Sequence, residues 1–520
     1  MVYHGLLSKG CERCRKRKVK CDERKPTCLR CEKSKALCMG YRKLSDFLFR
    51  DESEKVIKKA HRRSAEANST LMHKDLEIYT SFPDDDRPSF DDENSSPLPL
   101  SRPNQYDYCM KDQLHELPRP TSLSQPLEQL GANFFFTKYT SSEAPFAGEY
   151  HDWLTSSYAS EDPIVYLAIE AVGMAGISNV SYAPAMVSKS AEKYCKALAA
   201  LKQALSDPGQ MMKDTTLMAV ILLGMFEMIR FATWDRYEYW KAHIKGAMVL
   251  LALRGFQQFS RKRGGLLFIL IRSQILTACM HQNIPVPTAL LQTSLNFRSS
   301  AIRSEWQHQN VASPNSMSDM SFRVIDLRAA IANGEIFDAQ IIHAKALEIE
   351  SDLVSWRWTL PNGWRYDTIR NRSEPEAFMG MGHVYRSRWI AEIWNNWRTL
   401  RIVVNQIIIQ TQLCLPVSST SREARARSII KQLSTDICIS TTSFTNTPRV
   451  LSLVRPLYLV ASEHVNHLDM RRFAASLMQK IGVDMGVQQA TLLASTLSAE
   501  LKEDFVLGSE KYKVPMVPFF

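Results

Sequence analysis

Six of the 11 cysteines in this 520-residue chain lie between positions 11 and 38. They are Cys11, Cys14, Cys21, Cys28, Cys31 and Cys38, spaced C-x2-C-x6-C-x6-C-x2-C-x6-C. The stretch is an internal duplication, since "CERCRKRKVKC" and "CLRCEKSKALC" share one C-x2-C-x6-C frame. Reduced cysteines clustered this way read as metal ligands. Structural zinc takes four ligands in a tetrahedron. Six thiolates overfill one zinc and underfill two, unless two of them bridge. Two equivalent halves suggest the symmetric answer. Cys11 and Cys28 would bridge, Cys14 and Cys21 would complete one zinc, and Cys31 and Cys38 the other. Six thiolates against two dications leave a net −2, which nearby Lys and Arg would help offset. A disulfide knot would need an oxidising compartment. An iron–sulfur site usually takes four cysteines per cluster at other spacings. A metal-buffering tail stays open but does not require the duplication.

The charge around these cysteines is uneven. Residues 1–63 hold 20 Lys and Arg against 8 Asp and Glu, a net +12, so the rest of the chain carries −1 of the total +11. A basic arm on a near-neutral body usually meets phosphates. The two halves differ between their second and third cysteines. The first has "RKRKVK", with five basic residues, and the second "EKSKAL", with two basic and one acidic. The first half is therefore the better candidate to face DNA. A short helix starting at Cys14 would turn several of these side chains outward, with Val19 packed beneath. Guanine offers N7 and O6 acceptors in the major groove, which basic side chains match. Arg15, Lys16 and Lys20 read as phosphate contacts, which add affinity without sequence information. The alternative is a solvated basic run or a nuclear import signal, shared with "KKAHRR" at 58–63.

All six cysteine spacings resemble those of the fungal binuclear zinc cluster transcription factors. "RKRKVK" before Cys21 and Pro26 in "DERKPT" also match that family's pattern. The resemblance implies zinc as cofactor and a short helix whose end reads a CGG-type triplet in double-stranded DNA. It carries base reading over to Lys18, with Arg17 beside it, and places a cis Pro26 in the loop joining the halves.

Beyond this module the chain changes character twice. Residues 44–63 hold Leu44, Phe47 and Leu48, but the next heptad positions fall on Asp51 and Glu54. A short basic amphipathic helix is expected there, not a zipper. Residues 64–126 hold 12 acidic and 5 basic residues and eight prolines. Such a segment cannot bury enough apolar surface to fold alone. It reads as a flexible tether, or as an acidic activation segment anchored by Phe82, Phe90 and Leu98.

From Leu127 to the end the pattern is helical. Tyr194, Leu198, Leu201 and Leu205 recur at helical spacing, as do Trp389, Ile393, Trp397, Leu400 and Val404. Gly255 is a helix stop. Without sustained two-residue alternation, few strands are expected. The fold class is thus a small zinc-nucleated N-terminal domain of two short helices with little core, at 9–43, and a large all-α domain at 127–520. Stacked helix pairs in an α-solenoid-like body would fit. "FFFTKY", "WKAHIKGAMVLLALRGF", "IWNNWR" and "LMQKIGVDMG" resemble the fungal-specific transcription factor regulatory domain. That resemblance implies ligand or partner sensing and dimerisation.

No phosphate-binding glycine loop, nucleophile elbow or H-E-x-x-H is found, so an enzyme is not expected. "EHVNHLD" at 463–469 reads as a polar helix face before a metal site, and "SWRWTLPNGW" as packing before a ligand pocket. The longest uncharged apolar stretch, Thr215 to Phe226, is too short to span a bilayer. The opening "MVYHGLLSKGCERC" has no apolar run before its charges begin. The expectation is a nuclear chain with no membrane partner, its five other cysteines single buried thiols. The leading reading is a sequence-specific DNA-binding regulator of RNA polymerase II transcription. Its partners would be DNA, the transcription machinery or co-regulators, and a second copy through the helical domain. The alternative is a chromatin-associated scaffold that keeps the cluster but binds DNA without sequence specificity.

Overall fold

The computed structural model describes residues 11–38, except 18, 23, 25–26 and 35–37, and 125–507, except 142, 144–146, 161, 235, 309–316, 372–373, 375 and 416–419. The expected basic helix at 44–63 and the acidic segment at 64–126 lie outside the described residues. The N-terminal module has two one-turn helices, α1 (Glu12–Lys16) and α2 (Leu29–Lys33). Its core is Cys11, Cys14, Cys28 and Cys31, with Cys21 and Cys38 packed against them.

The rest is all-α apart from one hairpin among the described residues. It begins with α3 (Leu127–Lys138), α4 (Ala147–Ala159), α5 (Pro163–Ser181) and α6 (Pro184–Ser206). Then come α7 (Asp214–Ile229), α8 (Arg236–Arg254), α9 (Lys262–Gln282), α10 (Thr288–Arg298), α11 (Ala301–His308), α12 (Met317–Ala332) and α13 (Ala339–Trp356). After the hairpin come α14 (Arg388–Gln412), α15 (Thr420–Ser440), α16 (Val454–Ser462), α17 (Leu468–Asp484) and α18 (Gln488–Leu507).

Local chemistry sets the ends of these helices. Asp162 caps α5 by accepting from the Ile164 N–H at 3.2 Å, and Pro163 follows at the first helical position, where its missing N–H costs nothing. Asp338 caps α13, accepting from Gln340 N–H at 2.7 Å. Gly255, at φ +55°, follows α8 as expected. Asn283 takes the same left-handed region, φ +49°, at the end of α9, a conformation Asn tolerates better than most residues.

Sequence neighbours pack as pairs: α5 with α6, α7 with α8, α13 with α14, α14 with α15, and α17 with α18. The two ends of the body also meet. The Tyr139 hydroxyl donates to the Met485 carbonyl at 2.7 Å, and Asn179 Nδ2 donates to the Gly486 carbonyl at 2.7 Å. Gly486 sits at φ +66°, where a Cβ would come within 2.3 Å of the Gly176 carbonyl oxygen. One continuous apolar core therefore runs from α3 to α18.

Several expectations need amending. The stripe of α14 is part of a helix buried over most of its surface from Trp394 onward, with Asn396 and Gln410 exposed, because α13, α15 and α16 all pack on it. Cys195, Cys279 and Cys438 are buried thiols, but Cys414 is exposed just beyond the end of α14; Cys109 lies outside the described residues. Of the 463–469 stretch, Glu463–His467 form the loop between α16 and α17 and only Leu468 and Asp469 open α17, so it is not a helix face. There Glu463 accepts from Gln406 at 2.6 Å, and Asn466 Nδ2 donates to the Val460 carbonyl at 3.0 Å. Trp356 and Trp364 are buried packing residues, while Trp358 is exposed. Among the described residues, α5 and α9 have the length and apolar composition to cross a bilayer. Their apolar windows are 72% and 67% buried within the body, as in core helices.

A small antiparallel hairpin stands out from this helical background. Strands β1 (Asp367–Arg370) and β2 (Met381–Val384) pair Asp367 with Val384 and Arg370 with Met381. β1 is exposed along its length, while Gly382 and His383 of β2 are buried.

Candidate metal centre and nucleic-acid interface

The duplication in sequence is a duplication in structure. Each one-turn helix begins just after the first cysteine of its half and carries the second. Cys28 is the N-cap of α2, and its sulfur accepts from the Cys31 N–H at 3.4 Å. A sulfur here does the work an oxygen does in ordinary caps.

The six sulfurs form two overlapping groups of four. Cys11, Cys14, Cys21 and Cys28 have sulfurs within 4.8 Å of one another, and so do Cys11, Cys28, Cys31 and Cys38. Cys11 and Cys28 belong to both groups, with sulfurs 3.6 Å apart. The Cys11 N–H also donates to the Cys21 sulfur at 3.4 Å. Each group offers the donor number and softness that structural zinc takes. Burial pushes the Cys11 thiol well above its ordinary range. The Cys31 N–H favours the Cys28 thiolate, yet burial and neighbouring thiols prevail and push that thiol up to about 12. Thiols crowded in this way ionise readily only against a cation placed among them.

The helix expected from Cys14 instead starts at Glu12 and stops at Lys16. The chain must turn there to bring Cys21 back beside Cys11. Of the basic run, Arg15 and Lys16 are therefore helical, Arg17 lies in the closing turn, and Lys20 is in the irregular return toward Cys21. Lys16, Arg17 and Lys20 are exposed; the Arg15 side chain, Lys18 and Pro26 lie outside the described residues. Val19 is 37% exposed, not packed under a helix, because the helix ends before reaching it.

Contacts that break the internal symmetry tie the halves together, and these were not visible in the spacing. Arg13 Nη1 donates to Ser34 Oγ at 2.7 Å, and Arg30 Nη1 to the Lys20 carbonyl at 3.2 Å. The Leu29 N–H donates to Asp22 Oδ2 at 3.1 Å, which holds that carboxyl below its ordinary value. Arg13 and Arg30 hold the same place in the two halves and differ only in their partners, whereas Met39 stands where the repeat would put a second Asp22, so no repeat argument could find that contact.

A thiol-cored module of this type, with a large all-α body, defines a class: zinc-containing, DNA-binding transcription regulators. Residues 9–46 match the fungal Zn(2)-Cys(6) binuclear cluster domain, and residues 133–492 match the fungal specific transcription factor domain. The chain belongs to this family of fungal transcription factors, which are not enzymes. White-opaque regulator 2 of Candida albicans is 67% identical over 36 residues, 7% of this chain and 8% of that protein. An uncharacterized transcriptional regulatory protein of Schizosaccharomyces pombe is 66% identical over 32 residues, 6% of each chain. Both alignments thus span under a tenth of the relative's length. No solved structure matches the chain.

Proposed function

We propose that residues 9–43 bind two zinc ions and read CGG-type triplets in DNA, making this chain a nuclear, sequence-specific regulator of RNA polymerase II transcription. The observation that carries this reading is the overlap of the two four-sulfur groups at Cys11 and Cys28. Cys14 and Cys21 complete the first group, and Cys31 and Cys38 the second. Bound zinc supplies the tetrahedral thiolate bonds that stand in for a hydrophobic core. The chain's own residues do the rest. Cys11 and Cys28 hold the halves together, and Arg13, Arg30 and Asp22 fix their relative angle. Lys16, Arg17 and Lys20 present positive charge to the phosphates, with Arg15 joining them, and Lys18 reads the bases. Residues 44–63 and 64–126 link this module to the regulatory domain at 127–520, which contacts the transcription machinery or co-regulators and pairs two copies.

The test is binding of the full, zinc-loaded chain to duplexes with and without CGG triplets, in parallel with metal analysis. Two zincs per chain and a preference of about a thousandfold or more, the lower end for specific regulators, support the reading. Equal affinity for both duplexes overturns the base-reading part, and one zinc per chain overturns the bridged site.

A further inference from the structure

The cleft between the β1–β2 hairpin, the start of α14 and the turn at 441–444 has a volume of about 330 Å³. His383, Arg386, Ser387, Arg388, Asn371 and Thr442 line it, and no carboxylate does among the described residues. We propose that this cleft binds a small organic oxyanion, a carboxylic acid or a phosphate ester, between His383, Arg386 and the N-terminus of α14. The site is independent of the DNA-binding reading.

His383 is 4% exposed and forms part of the cleft wall. Its Nδ1 lies 3.4 Å from Arg398 Nη2 and 3.1 Å from the Tyr385 hydroxyl. A guanidinium can only donate, so Nδ1 must be the acceptor and the ring hydrogen sits on Nε2. Nε2 makes no hydrogen bond among the described residues, which leaves a donor at the cleft wall. Burial and the Arg398 charge together push the His383 pKa down to about 3, so the ring stays a neutral donor at any cellular pH.

The charge around the cleft is positive and only partly balanced. Arg388 pairs with Glu143 at 2.5 Å and donates to the Ser443 carbonyl at 2.9 Å. Arg386 has no ion pair or hydrogen bond among the described residues; its guanidinium lies beside Gly363, where a Cβ would come within 2.9 Å of Nη1. Behind His383 and Tyr385, Arg398 is fully buried, with Tyr385 and Asn395 as neutral acceptors at 2.9 and 2.7 Å. Asp436 acts on Arg398 only through space, beyond ion-pair distance. The 25-residue helix α14 adds the positive end of its dipole, with Ser387 as its cap. A guanidinium with no partner among the described residues, a fixed neutral N–H and a helix N-terminus around one cleft match the chemistry of an oxyanion. The volume exceeds what an inorganic anion fills and falls at the low end for small-molecule sites.

The experiment is isothermal titration of the full, zinc-loaded chain with succinate and glycerol 3-phosphate at constant ionic strength. Succinamide and glycerol serve as neutral counterparts. Saturable binding of one acid, and of neither neutral compound, is expected, and the acid that binds identifies the carboxylate or the phosphate source. Arg386→Gln should weaken that binding by about tenfold, the loss of one charge-assisted hydrogen bond. Titration reads the affinity directly, so a modest stability change in Arg386→Gln leaves the test intact. Saturation by neither acid, or an unchanged Kd in Arg386→Gln, overturns the proposal.

Discussion

The sulfurs of Cys11 and Cys28 lie 3.6 Å apart, although 17 positions separate them in the chain. Each opens its half of the duplication, and each belongs to both groups of four sulfurs. A shared position of this kind makes the six cysteines unequal. Cys38 and Cys14 serve one group each, whereas Cys11 and Cys28 serve two.

That inequality predicts different metal losses. Cys28→Ala should strip ligands from both groups and leave the full chain with less than one zinc after dialysis. Cys38→Ala should damage one group only and retain at least one zinc, since Cys11, Cys14, Cys21 and Cys28 still make a complete four-thiolate site. Metal analysis of both variants checks this. Equal zinc content in the two would show that no thiolate is shared.

Lys18 and Lys20 should separate sequence reading from charge. Lys18→Ala is expected to cost roughly 1–3 kcal/mol of discrimination between a CGG duplex and a scrambled one. Lys20→Ala should weaken both duplexes alike and reduce the salt slope by about 1. The exposed position of Lys20 in the return from α1 suits a phosphate contact. Titrations at several salt concentrations decide the matter, and equal scaling of both duplexes by both variants would sink the assignment of Lys18.

What could be read directly from the sequence was what local chemistry determines. The pairing of Cys11 with Cys28 followed from counting ligands within a duplicated spacing. The stop at Gly255 followed from the glycine alone, and the helical body from periodicity at positions such as Leu201 and Leu205. Contacts between distant residues were not legible. The closure of Tyr139 onto Met485 spans 346 positions, and neither residue carries a local signal for it. The β1–β2 hairpin is two strands of four residues, too short for alternation to show. Arg386 and His383 look ordinary until the fold places them around one cleft.

Gly173 illustrates a dependence that spacing cannot reveal. A Cβ at this position would lie 1.8 Å from the Gly131 carbonyl oxygen, so α3 and α5 touch backbone to backbone there. Gly173→Ala must push the two helices apart, and we expect a loss of at least about 2 kcal/mol, within the range for overpacked cores. Urea unfolding measures it. Zinc content should not change, because the thiol module does not depend on this contact.

The last prediction concerns acid stability and rests on His243. This residue of α8 is 4% exposed, and its Nε2 lies 3.2 Å from the Tyr194 hydroxyl of α6. Tyr194 in turn stacks on Phe226 of α7 with ring centroids 4.2 Å apart, so three helices meet at Tyr194, two through the polar contact and the third through the stacked ring. Burial lowers the His243 pKa from 6.5 to about 4. Between those values the unfolded chain takes up a proton that the folded chain refuses. Stability must therefore rise with pH across this window. The contribution is complete above about 6.5, shrinks as the pH falls, and is gone below about 4. Acidifying from pH 7 to pH 5 should cost about 2 kcal/mol from this residue alone. His243→Gln keeps a neutral partner for Tyr194 but cannot be protonated. Its unfolding free energy should fall less steeply over the same interval, by about that amount, in denaturant titrations at each pH. An identical pH dependence in the variant and the parent chain would show that His243 is not the group resisting protonation.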